Sequence, residues 1–311
     1  MGDFASTHVG EGAAILCALL WSVSLVAWSH AGARAGAITV AVLRTALATA
    51  VLAAAHWAFY GSPWPLRVPA RSMLCLAASG LVSAGIGDIL SIRSLALIGP
   101  RIPSVIMTLS PAIAVILAWW GPLGERLNAA ALAGIALTTA GVVGVTLERP
   151  AGPTWRTPPG QFWPGVFCAV AATGCFGAGY VLSRMGLSGE GAAIPPFSAN
   201  LVRIATALLV CLAALPFYRR SATFRTTLRD RRTMRIILTG TAFGPIIGMY
   251  FSMIALQRAP AGVATALINL LSIFILPLVY ISHRERPSPR AILGAVVAAG
   301  GVALLAMRDR F

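Results

Sequence analysis

The feature that most constrains this chain is a series of ten apolar runs, each near the length of about 20 residues that a helix needs to cross the hydrocarbon core of a bilayer. The runs are Gly12 to His30, Gly36 to Phe59, Ser72 to Leu97, Ile102 to Trp120 and Ala129 to Thr146, then Gly165 to Met185, Phe197 to Phe217, Arg235 to Leu256, Gly262 to Ile281 and Ala291 to Met307. Hydrophobic residues are 58% of the 311 and charged residues 11%, with mean hydropathy +0.81, whereas a soluble domain carries about 25% charged residues. The sequence therefore predicts an all-α integral membrane protein of about ten transmembrane helices. Met1 to Glu11 has no positive cluster, so the first run is expected to be a retained helix and not a cleaved leader.

All 24 basic residues are arginine, against nine acidic ones, a net charge of +15. The absence of lysine points to a GC-rich bacterial genome, and hence to the bacterial inner membrane. A charge this large in a soluble protein suggests nucleic acid, but no segment outside the apolar runs is long enough to build a basic face. The arginines read instead as loop anchors at lipid headgroups. No nucleic-acid partner is expected; membrane lipid and a small-molecule substrate are. Monomer and homodimer both stay open. Cys17, Cys75, Cys168, Cys175 and Cys211 lie in apolar runs without CxxC spacing, and His8, His30, His56 and His283 are scattered. No metal site, cofactor or catalytic residue is expected, and the chain does not read as an enzyme.

The chain repeats itself. At an offset of 160 residues Gly80, Pro100, Glu125, Arg126, Gly134 and Gly141 meet Gly240, Pro260, Glu285, Arg286, Gly294 and Gly301, and Arg44 meets Arg203 at an offset of 159. The halves are residues 12–147 and 165–307, joined by a proline-bearing linker, 148–164. Five helices per half is odd, so the second half enters the membrane in the opposite orientation: two inverted five-helix repeats.

The stretch SLALIGP, the helix bearing Pro111, GERL at Gly124 to Leu127 and AGIALTTAGVVGV resembles the EamA domain of the drug/metabolite transporter superfamily. The second copy reads IALQRAP, HRERP and LGAVVAAGGVALL, with Arg284 in place of Gly124 and Leu271 in place of Pro111. The resemblance implies a ten-helix secondary transporter that moves a small metabolite, an amino acid or other small solute, by alternating access, often as an exporter. Two other readings remain: a membrane enzyme on lipid-linked substrates, and a non-transporting accessory subunit.

An ionisable side chain at membrane depth costs at least about 2.5–3.5 kcal/mol and needs a partner or a wet cavity. Asp88 is the one carboxylate well inside a run. Arg93, five residues on, lies about 140° around an ideal helix from it, so a partner on a neighbouring helix is the alternative. Arg44 and Arg203 either line a cavity and attract an anionic group, or snorkel to headgroups or bind helix-end carbonyls near one membrane face. Asn269 and Tyr250 are polar groups placed to bond a solute or a neighbouring helix. Glu125 with Arg126, and Glu285 with Arg286, are expected to be helix-end structural pairs. Gly240, Gly244 and Gly248 form a doubled GxxxG pattern for close packing, and Pro111, Pro245 and Pro277 are candidate bends. Orientation is divided: loops on the side of the termini hold seven arginines and the other side fifteen, which places the termini outside, whereas the family pattern places them in the cytoplasm.

Overall fold

A computed structural model describes residues 2–65, 68–120, 129–146, 160–187, 194–217, 221–258, 267–283 and 288–306. These are helices and their connectors, with no strand among the described residues. Helix α1 is Gly2–Ala35 and α2 is Ala37–Tyr60. The single residue between them, Gly36, has φ 82°, a left-handed turn that only glycine makes without strain. Helix α3, Ala70–Ile98, contains a π-helical segment at Gly80–Gly87. Helix α4 runs Arg101–Ile106, tightens into a 3-10 turn at Met107–Leu109 and resumes as Ser110–Trp120. The tightening has a local cause: Pro111 has no N–H to give the Met107 carbonyl, which accepts the Ser110 hydroxyl instead. The first half ends with α5, Ala129–Thr146.

The second half follows the same plan with α6 (Phe162–Leu187) and α7 (Pro196–Ala214). An additional short helix, α8 (Ser221–Arg229), precedes α9, which runs Arg231–Thr241, passes through a π-helical segment at Ala242–Gly248 around Pro245, and continues as Met249–Arg258. Asp230 caps α9, accepting from the Arg232 N–H at 3.0 Å and the Thr233 hydroxyl at 2.6 Å. The bond from Thr233 is the main cause holding the Asp230 carboxyl below its ordinary pKa. Helices α10 (Leu271–His283) and α11 (Pro289–Ala306) complete the chain. Among the described residues, six helical stretches are long and apolar enough to cross a membrane: Val9–Ala35, Ala37–Tyr60, Ala70–Ile98, Phe162–Leu187, Pro196–Ala214 and Arg231–Ala255. Shorter apolar helices cover Ile102–Ala114, Leu132–Gly141 and Ile292–Gly301. Residues 259–266, in the expected ninth run, and 147–159, in the expected linker, lie outside the described residues.

Packing is reciprocal between the halves. Helix α1 packs on α9 and α10 of the second half, and its counterpart α6 packs on α3 and α4 of the first. Helices α2 and α7 face each other, and α5 lies against α11. At that last contact a Cβ on Gly141 would stand 2.5 Å from the Ala298 nitrogen, and one on Gly301 2.5 Å from the nitrogen of Thr138, the residue matching Ala298 at the 160-residue offset. The repeated glycines therefore seat each helix on its own copy. The doubled GxxxG of α9 serves the same purpose against α1: Cβ atoms on Gly240, Gly244 and Gly248 would meet Trp28 Nε1 at 2.5 Å, Ser24 Oγ at 2.8 Å and Trp21 Cδ1 at 3.1 Å. Around the outside, Leu74, Phe167, Leu209 and Leu293 are exposed, an apolar surface suited to lipid.

Two of these contacts can be tested directly. At Gly80 a Cβ would stand 2.2 Å from the Arg203 carbonyl oxygen, whereas at Gly174 it meets nothing within 4 Å. Thermal unfolding in detergent should show Gly80→Ala and Gly240→Ala each destabilised by about 1–3 kcal/mol, with Gly174→Ala within about 0.5 kcal/mol of native.

Candidate functional site

The third helix of each half changes to π geometry as it reaches the centre of the molecule, and the site begins where that geometry ends. Asp88 is the first residue after the π segment of α3. The glycines of that segment let neighbours close in: a Cβ on Gly85 would stand 2.9 Å from Val210 of α7, and one on Gly87 3.0 Å from Cys175 of α6. Asp88 is thereby held in the interior, 5% exposed, where its carboxylate accepts a hydrogen bond from the guanidinium of Arg44 on α2. Arg44 is fully buried, and its guanidinium carbon lies 4.4 Å from the ring centroid of Trp28 on α1. Its Nε and Nη1 have no hydrogen-bond partner among the described residues. One face of the cation thus rests on an aromatic ring and one edge on a carboxylate.

Arg203 on α7, the repeat counterpart of Arg44, is also buried, 5% exposed. Its surroundings differ. Nε donates to Ser79 Oγ at 3.1 Å, Nη2 to Ser83 Oγ at 3.2 Å and Nη1 to the sulfur of Met249 at 3.3 Å. Ser79 is itself tied to α6 by its bond to the Gly179 carbonyl at 2.8 Å. Met249 is the first residue after the π segment of α9, the place Asp88 holds on α3. The sequence offset of 160 sets Gly248 opposite Asp88, and the structural match sets Met249 there; neither is a carboxylate. The first half therefore holds an arginine–aspartate pair where the second holds an arginine–thioether contact. Among the described residues Arg203 has no acidic partner.

Both groups border one cavity of about 70 Å³. Cys17, Trp21, Ser83, Asp88, Met107 and Ser110 line it from the first half, and Phe176, Tyr180, Arg203, Met249, Ser252 and Asn269 from the second. Of the residues singled out from the sequence, Asp88, Arg203 and Asn269 border the cavity and Arg44 stands behind Asp88. Burial of Arg44 and Arg203 excludes the snorkelling alternative for both. Arg93 is exposed and does not line the cavity, as its angular offset from Asp88 implies. Tyr250 is also off the cavity: it is 39% exposed and packs edge-on to Phe197, 6.4 Å between ring centroids. Glu125, Arg126, Glu285 and Arg286 lie outside the described residues.

Sequence reasoning missed Met249, Ser79, Ser83, Tyr180 and Trp28. Comparing Asp88 with its own repeat position would have exposed the missing carboxylate; nothing in the sequence marks the two serines or Trp28. His56 has structural partners, Ser198 Oγ at 3.1 Å and the Ser62 carbonyl at 2.6 Å, and ties α2 to the start of α7.

The fold and the central cavity define an integral membrane protein built from two like halves. The family model described as the EamA-like transporter family matches residues 8–147 and again 163–307, and the chain belongs to that family, within the drug/metabolite transporter superfamily. A solved crystal structure described only as that of a protein superposes with a TM-score of 0.65 at 20% sequence identity, covering 98% of this chain and 98% of that one, a likeness of fold. Comparison with curated proteins returns no match by sequence.

Removing one partner of a buried ion pair strands the other charge, which costs about 3–5 kcal/mol, whereas replacing both by apolar groups is often near neutral. Chemical or thermal unfolding of Asp88→Asn should show a loss of about that size. The double variant Arg44→Met with Asp88→Leu should recover most of it; additive losses would show that the two side chains do not act as a pair.

Proposed function

We propose that the protein is a secondary carrier of a small metabolite in the bacterial inner membrane, with ten spans in two inverted five-helix halves that rock about the central cavity. The observation that carries the reading is the placement of that cavity. It lies where both halves meet, with the buried Arg44–Asp88 pair on one side and Arg203 on the other. Charged groups at membrane depth are costly and mark solute pathways. Reciprocal packing of the halves favours a machine that exchanges two related states, since the main helix–helix contacts of one half have counterparts in the other. The π segments flanking the cavity, Gly80–Gly87 and Ala242–Gly248, are natural places for a helix to bend during that exchange. No covalent step is needed, and carriage without catalysis suffices to explain the site. Export is the direction that family resemblance favours.

Flux into proteoliposomes, screened over amino acids and small metabolites with and without a pH gradient, tests this reading. The native protein should give saturable flux, and Asp88→Asn should reduce it at least tenfold. Dependence on the gradient that disappears in Asp88→Asn identifies proton coupling through that carboxylate; saturable flux indifferent to the gradient identifies facilitated exchange. Absence of saturable flux for every solute contradicts the carrier reading.

A further inference from the structure

The charges around the cavity do not cancel. Arg44 and Asp88 neutralise one another, and Arg203 is left with one positive charge in contact with two serine hydroxyls and a thioether. A neutral sulfur is a weak acceptor and supplies no counter-charge. Asp88 is the only carboxylate among the described residues lining the cavity. A guanidinium has five N–H donors. Three of those on Arg203 are engaged, one each on Nε, Nη1 and Nη2. One N–H on each terminal nitrogen is outside these three bonds, and a carboxylate is an acceptor that a guanidinium matches in charge and shape.

We infer that the cargo is a small organic monoanion, a carboxylate with a short apolar tail, and that its carboxylate pairs with Arg203 and gives that guanidinium the counter-charge that Asp88 gives Arg44. The inference deepens the carrier reading and rests on it for the meaning of the site, though the binding itself is measurable without transport. Charge sets the valence: one negative group neutralises the cavity, whereas a dianion would leave a buried net negative charge. Wall chemistry sets the tail, since Trp21, Phe176 and Leu271 offer apolar surface. Volume sets the length, because about 70 Å³ is roughly half of the 150 Å³ cavity that admits benzene. Acids of two and three carbons, smaller than benzene by one or two heavy atoms, are therefore the appropriate probes.

The experiment titrates purified native protein with acetate and propionate, their amides and the matching alkyl amines at constant chloride, and reads the thermal unfolding midpoint. The acids should raise the midpoint, and the amides and amines should need at least tenfold higher concentration for the same shift. Met249→Asp supplies the missing carboxylate from within and should abolish the response to acids while the unliganded protein stays at least as stable as native. Arg203→Gln should respond alike to acid and amide. Equal shifts from acid and amide on native protein, no shift from any acid, the same shift from chloride alone, or a native response in Met249→Asp each overturn the inference. Saturable flux without acid binding would remove this inference and leave the carrier reading, whereas acid binding without flux would remove the carrier reading, and with it the role of cargo, and leave a carboxylate site at Arg203.

Discussion

A buried charge in hydrocarbon must be met by another charge, a dipole or water, and the Arg44–Asp88 pair shows how this chain satisfies that demand. The pair is possible only because three helices converge: α2 brings the guanidinium, α3 the carboxylate, and α1 the indole of Trp28 against the cation. Convergence in turn depends on residues without side chains. Gly85 and Gly87 admit α7 and α6 to α3, and Gly240 makes room for the ring of Trp28. The ion pair at the centre thus depends on small residues at these few positions, while Gly141 and Gly301 serve the separate contact of α5 with α11.

Superposed on this symmetric frame is one asymmetry. The helices, the π segments, the arginines and the glycine contacts occur twice, but the carboxylate occurs once. Met249 and Gly248 occupy its second place, and Arg203 rests on serines from the opposite half. The architecture needs two like halves; a site that recognises a solute gains from their being unlike at a single point. A symmetric pair of ion pairs would leave the cavity electrically closed, whereas one unmatched guanidinium gives it a sign.

Much of the fold was legible from period and length alone. Bilayer thickness fixes run length, so hydropathy marked where apolar helices lie, and the repeated Gly, Pro and Arg positions pointed to two like halves before any coordinates. Asp88 and the two repeated arginines stood out because a charge inside an apolar run is expensive wherever the helix points. What could not be read was direction. Sequence spacing showed that Arg93 does not share a face with Asp88, but the choice of Arg44 over other arginines depends on how α2 is rotated against α3, which packing alone determines. Tyr250 was plausible for its polarity and is turned toward Phe197 for the same reason. Ser79, Ser83 and Trp28 carry no charge, so nothing in their composition separates them from ordinary packing residues.

Opening of the cavity to each side of the membrane in turn, as the proposed carrier requires, is tested most directly by thiol accessibility. Ser252 lines the cavity and Val170 is exposed on the outer face of α6. In a background without native cysteines, Ser252→Cys should react with a membrane-impermeant thiol reagent in right-side-out and in inside-out vesicles alike, and Val170→Cys in neither. Reaction of Ser252→Cys from one side only, or from neither, would contradict alternating access.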